Sequence, residues 1–547
     1  MPILLSFTPL GDLNSINIIN VNGCNNFKTL LPTKNLSLKH IAILKNNAYL
    51  CQSFFQKLKD NIMIRTREQY LAALKAMRPN IYKNGELITD VTTHPATRRT
   101  VESHARAYDG AACEEKKDIF TTVSDFTGKP IMRFNSMMRT LEDIMNNARM
   151  KREMYRLTGT CSGGTCVGWN AQNVMWAVTH DIDAEFGTNY QERLKAWILS
   201  AQERGILCAA ALTDAKGNRS MKPHQQPCLD SNVHIVEKRA DGIVVRGAKV
   251  MICGVAASDE IFILPGSGYK DTDADFAVSF VCPRDIEGLT IVETRRPSDD
   301  REYKQNWDIP ETGITQAYLL FDNVFIPNER VFMAGEFKYS GKIIEYFTAN
   351  YRACIGACVA GQGDIMIGAS MLMARANGIS SKKFDDKLVA MAANNETTFG
   401  LGVGAMALGG QKNGVWVSNS KIAHLNKMYV ATLPYETKRL CQEIGGGIVE
   451  TGCAPTYEDF HNPAYGEFIT NIIKAGDCST ESRMRAVRLS EWLTIGAGVP
   501  GCMHGGGSPD GAKMVVKAST PFEEYAEMAK KVAGITEDIP DPVVVKK

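Results

Sequence analysis

The stretch "GKIIEYFTANYRACIGACVAGQGDIMIGASMLMARANG", Gly341–Gly378, constrains this chain more than any other. It holds no proline and is mostly apolar, which predicts one very long helix. Three more helical patterns follow: "KFDDKLVAMAANNETTFGLGVGAMALGG", "KMYVATLPYETKRLCQEIGGG" and "TESRMRAVRLSEWLTIGAG". Four such helices predict an antiparallel bundle, assigned to residues 336–547.

Two different textures precede it. Residues 63–205 carry apolar side chains at three- and four-residue spacing, as in "REQYLAALKAM" and "FNSMMRTLEDIMNNARMKREMYRL". They predict an N-terminal helical domain, with Gly205 capping the helix "NYQERLKAWILSAQERG". Within it, "YKNGELITDVTTHPATR" is a short strand-like insert broken by Pro95. Residues 206–335 read as short strands: "DEIFILPG", "DFAVSFVCP", "LTIVETRR" and "QAYLLFDNVFIP". The "RADG" word is a hairpin signal, and Asp322-Asn323 reads as another turn, with Pro327 closing the last strand. This series predicts a middle antiparallel β-barrel or sandwich domain. The fold class is therefore α+β, in the order helical, β, helical.

Residues 1–62 stand apart. They contain Asp12 and Asp60 as their acids and no arginine, since the first arginine is Arg65. They are expected to be a poorly ordered extension, with Met1 and Met63 both open as starts. Over 547 residues the net charge is only +2, which gives no reason to expect a nucleic-acid or anionic-membrane partner. No run of about 18 apolar residues predicts a membrane span. Fifteen scattered cysteines, an odd number, fit reduced thiols and a cytoplasmic location.

Several words carry a family resemblance. "YKNGELITDVTTHPATR" resembles the opening of 4-hydroxyphenylacetate 3-hydroxylases. "FGTNYQERL", "LTDAKGNR", "IVEKRADGIVVRGAK", "FDNVFIPNERVF" and "MHGGGSP" resemble the 4-hydroxybutyryl-CoA dehydratases. Both are acyl-CoA dehydrogenase-like flavoproteins, and the resemblance runs from about Met63 to Lys517. It implies an FAD held between the β domain and the bundle, in a homotetramer or homodimer. In the dehydratase branch it also implies a [4Fe–4S] cluster on three cysteines and one histidine.

Carried over residue by residue, the match is incomplete. The family's second cysteine falls on Cys166, and its first falls on Ser162, beside Cys161. Its last cysteine falls on Cys358, and its histidine on Tyr351. On a helix of about 3.6 residues per turn, i−7 and i−4 share the face of residue i. Cys354 therefore stands where it can replace the missing imidazole, and Cys161, Cys166, Cys354 and Cys358 become an all-cysteine site. The alternatives are a structural zinc, a redox disulfide, or buried cysteines that only pack. The family's glutamate before the "FDNVFIP" strand falls on Gln316, which cannot take a proton. A family tyrosine falls on Ile355 and another glutamate on Gly501. Among titratable groups His504 remains the best proton-transfer candidate, ahead of His180 and His94.

For the flavin, Thr213 and Asp214 are candidates for the ring edge, with Cys253 and Ser258 on the strand that meets it. Gln442, Gly445, Gly446 and Gly447 resemble the stretch that binds the FAD diphosphate, where glycines let backbone N–H groups approach. Arg483 and Arg485 are further phosphate candidates. Three functions follow: a flavoenzyme acting on an acyl-CoA, a reduced-flavin monooxygenase of a phenolic acid, or an inactive flavin-binding paralogue.

Overall fold

The computed structural model describes residues 4–6, 17–19, 64–161, 163–215, 217–294, 307, 312–495 and 505–540. The chain divides into two units, Met1–Met63 and Ile64–Lys547. In the first, β1 (Leu4–Ser6) pairs antiparallel with β2 (Asn17–Ile19). All that follows concerns the second.

The second unit begins with helices α1 (Arg67–Ala76) and α2 (Arg98–Ala112), separated by the hairpin β3 (Ile81–Lys83) and β4 (Glu86–Ile88). A second small hairpin, β5 (Thr121–Val123) and β6 (Pro130–Met132), leads into α3 (Leu141–Thr158), α4 (Gly163–Phe186) and α5 (Tyr190–Arg204). The Thr140 hydroxyl and the Asp143 carboxylate cap the start of α3 reciprocally, and Gly159 ends it at φ 67°. Gly205 ends α5 at φ 55°, as its position implied.

The strands that follow are β7 (Cys208–Ala211), β8 (His234–Lys238), β9 (Gly242–Cys253), β10 (Glu260–Ile263), β11 (Val278–Pro283), β12 (Leu289–Glu293), β13 (Gln316–Pro327) and β14 (Val331–Ala334). They form a four-stranded sheet, β14-β11-β10-β7, and a six-stranded sheet, β4-β3-β12-β13-β9-β8. Neither is purely antiparallel as expected, because β7 runs parallel to β10 and β3 parallel to β12. The early insert thus completes a sheet built from later strands. The "RADG" hairpin joins β8 to β9. Asp322-Asn323 is not a turn. Pairing with β9 continues on both sides, and the extra residue is absorbed as a bulge with Asn323 at φ 53°.

After β14 comes α6 (Ser340–Ala376), then α7 (Asp385–Ala407), the hairpin β15 (Gly410–Lys412) and β16 (Val415–Val417), α8 (Ser420–Val430), α9 (Leu433–Gly445), α10 (Thr480–Thr494), α11 (Pro509–Ala518) and α12 (Phe522–Ala533). The third expected helix is two, α8 and α9, because Pro434 starts a new one. The stretch Phe337–Ala376 is long and apolar enough to cross a membrane, but 67% of its most apolar window is buried inside the protein. It is a core helix: α6 packs on α3 and α4 on one side and on α7, α8, α9 and α10 on the other. One continuous apolar core, including Tyr70, Phe280, Ile291, Phe347 and Ala423, joins the early helices, both sheets and the bundle.

Candidate active site

Two helices and the turn between α3 and α4 bring the predicted thiols together. Cys354 and Cys358 lie one turn apart on α6, both buried. Cys161 sits in the turn after Gly159, and Cys166 in the first turn of α4; both are buried. A Cβ at Gly163 would stand 2.6 Å from Cys253 Cβ and 3.1 Å from Cys161 Sγ, so that turn must be glycine to let β9 in. Cys253, expected near the flavin, therefore joins the thiols. Its sulfur accepts a hydrogen bond from Gln316 Nε2 at 3.2 Å across the β9–β13 pair. Cys161 and Cys358 share a small apolar cluster with Tyr155, Ile314, Ile355 and Val359.

The centre of this group is Lys151, on α3. It is 1% exposed, and among the described residues its ammonium has no oxygen acceptor, only the Cys166 sulfur beside it. Tyr351 lies beside it, with the ring centroid 5.0 Å from Nζ. Burial works against the lysine charge, yet Cys166, Cys358, Cys354 and Cys161, in that order, hold its pKa well above the ordinary lysine value. Burial in turn pushes the Cys166 thiol up to about 12 and the Cys354 thiol up to about 11, with Lys151 opposing both shifts. Burial and the neighbouring thiols raise Tyr351 as well, so its phenol stays protonated at neutral pH.

No three histidines, cysteines or carboxylates among the described residues converge on a single ion, so a structural zinc does not fit. None of the described cysteines is in a disulfide. The sulfurs instead surround a fixed cation, Lys151.

Sequence reading missed Lys151, although a signal was present. Ile144, Ala148, Lys151 and Tyr155 fall on the buried stripe of α3, where a lysine is out of place. It also missed His104, on α2. Its Nδ1 bonds the Thr100 carbonyl at 2.7 Å, and its buried Nε2 has no partner among the described residues. Burial lowers its pKa, so it stays neutral, packed against Gly164 and Gly254.

The other expected residues lie elsewhere. Asp214 does not face an open cleft. Its carboxylate forms a buried ion pair with Lys249 at 2.6 Å, and a Cβ at Gly266 would overlap it. The Thr213 carbonyl accepts from Val250 N–H, and Thr213 remains partly exposed. The Ser258 hydroxyl donates to the Gly254 carbonyl at 2.9 Å, next to His104. Gln442 and Gly445 belong to the last turn of α9, and Gly446 follows at φ 77°. Nothing stands within 4 Å of a Cβ at Gly446 or Gly447, so this turn is open on that side. Arg483 is tied to Asn377 Oδ1 at 2.8 Å, whereas Arg485 pairs with Glu481 on the surface. Arg375, Ser380, Ser482 and Arg485 help line a cavity of about 700 Å³ between the ends of α6 and α10. His180 is half exposed beside Asp181, and His94 Nδ1 accepts from Ala96 N–H. His504 lies outside the described residues, as does Gly501.

Residues 66–333 match the family described as 4-hydroxyphenylacetate 3-hydroxylase N terminal, and residues 340–534 match the corresponding C-terminal family. The 4-hydroxybutyryl-CoA dehydratase/vinylacetyl-CoA-Δ-isomerase of Clostridium aminobutyricum is 34% identical over 492 residues, covering 86% of this chain and 100% of that protein. The solved structure of an oxygen-tolerant archaeal 4-hydroxybutyryl-CoA dehydratase from N. maritimus superposes with a TM-score of 0.83 at 31% identity, covering 87% of this chain and 96% of that one. The oxygenase component of 4-hydroxyphenylacetate 3-monooxygenase, complexed with FAD and 4-hydroxyphenylacetate, shares the fold with a TM-score of 0.72 at 20% identity, over 86% and 100% of the two chains. Two family matches that together span most of the chain, and a relative matched over its whole length, lead to one conclusion: this chain belongs to the 4-hydroxyphenylacetate 3-hydroxylase family.

Proposed function

We propose that the chain is an FAD-dependent enzyme that acts on a CoA thioester, of the 4-hydroxybutyryl-CoA dehydratase type with an altered ligand set. The observation that carries this reading is the gathering of Cys161, Cys166, Cys354 and Cys358 around the buried Lys151. A phenol hydroxylase needs no such sulfur group. The matched length and identity of the Clostridium dehydratase support the same reading. We also propose that the chain works as a homo-oligomer. Phe522, Tyr525, Met528 and Val532 leave one side of α12 apolar and exposed, which favours a partner copy.

An iron–sulfur cluster, when bound by the four thiolates, supplies a Lewis acid for a substrate hydroxyl, and FAD supplies hydrogen transfer at a neighbouring carbon. The residues of this chain do the rest. Lys151 keeps its proton and offsets the charge of the thiolates. Tyr351 keeps its phenolic hydrogen and so donates a hydrogen bond rather than accepting a proton. Gln316 holds Cys253 and orients it, but cannot act as a base. Proton transfer falls to another group, for which His504 is the candidate. The glycine turn at Gly445–Gly447 offers backbone N–H groups to the FAD diphosphate.

Anaerobic purification with iron and flavin analysis tests this. We expect bound FAD and a broad brown absorbance. Cys166→Ser and Cys358→Ser should each abolish the iron, and Tyr351→Phe should retain it. A protein with flavin but no iron, hydroxylating phenols with all four thiols replaced, would show that the monooxygenase reading is the right one.

A further inference from the structure

Among the described residues, the buried cation Arg352 has no carboxylate partner. Arg352, on α6, is only 6% exposed. Its Nε and Nη2 both donate to one carbonyl, that of Gly506, at 2.9 and 2.7 Å. Among the described residues no carboxylate pairs with it, and Nη1 has no acceptor. A guanidinium taken out of water and given only a carbonyl is an expensive arrangement. By contrast Arg65, comparably buried, is matched by a two-point ion pair with Asp259.

Among the described residues, the groups around Arg352 bring no negative charge to it. Gly506 and Gly507 have φ of 72° and 89°, a backbone that side chains rarely adopt. A Cβ at Gly507 would stand 3.2 Å from Arg352 Nη2, and one at Gly506 would stand 2.9 Å from Tyr351 Cδ1. Glycine is what lets this turn close on both residues. Directly after it, Ser508 caps α11 by accepting from Gly511 N–H at 3.0 Å. The positive end of α11 therefore starts next to the guanidinium. The first acid of α11, Asp510, points outward and pairs with Lys513. On the neighbouring α8, His424 is almost fully buried; burial, and then Arg352, push its pKa down to about 4.

We propose that Arg352, the Gly506–Gly507 turn and the N-terminus of α11 form a subsite for an oxyanion, the phosphate or carboxylate of a small molecule. The Nη1/Nη2 end of Arg352, beyond the Gly506 carbonyl, suits two oxygens of such a group, and the Asp510 N–H suits a third, since Pro509 has no N–H and those of Gly511 and Ala512 go to Ser508. The subsite stands apart from the reaction class. An acyl-CoA brings phosphates and a phenolic acid brings a carboxylate. Residue 351 faces the thiols and residue 352 faces the glycine turn, so the bound anion sits one residue along the helix from the thiol group.

Thermal unfolding of the full-length purified protein in chloride buffer tests this, with inorganic phosphate, acetate and coenzyme A titrated separately. At saturation we expect at least one of them to raise the Tm of the wild type by about 2–4 °C. Arg352→Gln should lose that response while unfolding no lower than the wild type without anion. Coenzyme A acting at lower concentration than inorganic phosphate, with both effects lost in the variant, assigns the anion to the bound ligand; equal potency assigns it to the free ion. A wild type that ignores all three probes overturns the proposal, and so does an Arg352→Gln protein that still responds. If Arg352→Gln does not fold, Arg352→Lys is read instead, because it keeps the charge and loses the fork. An undiminished response in that variant overturns the geometry proposed.

Discussion

Two buried lysines answer the same physical problem in opposite ways. Lys249, between the β strands, has Asp214 at 2.6 Å and donates to the carbonyls of Leu212 and Leu264 at 3.1 and 2.8 Å. Lys151, between the helices, has sulfurs and an aromatic ring. The first is completed by its own chain and fixes the approach of β9 to the loop after β7. Among the described residues the second faces only polarizable sulfurs and an aromatic ring. Buried charges of the first kind hold a fold together, whereas those of the second kind mark places where something else is meant to bind.

Mutation can break this contrast. Asp214→Asn should have the largest effect, a loss of about 3–5 kcal/mol, because it strands the Lys249 charge. Replacing the pair together, as Asp214→Leu with Lys249→Met, should recover most of that loss in chemical denaturation. If the single variant were harmless, the pair would not be the structural half of the contrast. His424 gives the next effect, through pH. Its folded pKa of about 4 lies below the ordinary 6.5, so its contribution is present above 6.5 and is lost as pH falls toward 4. The total is about 3 kcal/mol, and the pH dependence of His424→Gln should be flatter by that amount over this window. Lys151→Met should have the smallest effect on folding, about 1 kcal/mol in either direction, yet iron retention should fall sharply. If Lys151→Met unfolds as readily as Asp214→Asn, Lys151 is a structural residue and the contrast fails.

Much of this was legible in the sequence, for local reasons. The i, i+4 spacing of Cys354 and Cys358 fixes them on one face of any helix, and the Gly205 cap and the hairpin at "RADG" are short-range signals. What could not be read required partners far apart in the chain. Asp214 reads as a candidate for the flavin edge because nothing local shows that Lys249 will bridge to it. Asp322-Asn323 has turn chemistry, but β9 pairs through it and turns it into a bulge. Lys151 is local in a different way: the periodicity of α3 marks the helix, and on the buried stripe it defines a lysine is the residue that does not belong.

The parallel pairing of β3 with β12 has a consequence for synthesis. Lys83 Nζ bonds the carbonyl of Thr294, 211 positions later. At ordinary elongation rates the hairpin leaves the ribosome roughly 10–40 s before the strand that receives it. Throughout that interval its hydrogen-bonding edge is uncovered, and a nascent chain is most open to capture by a chaperone or by another polypeptide at such an edge.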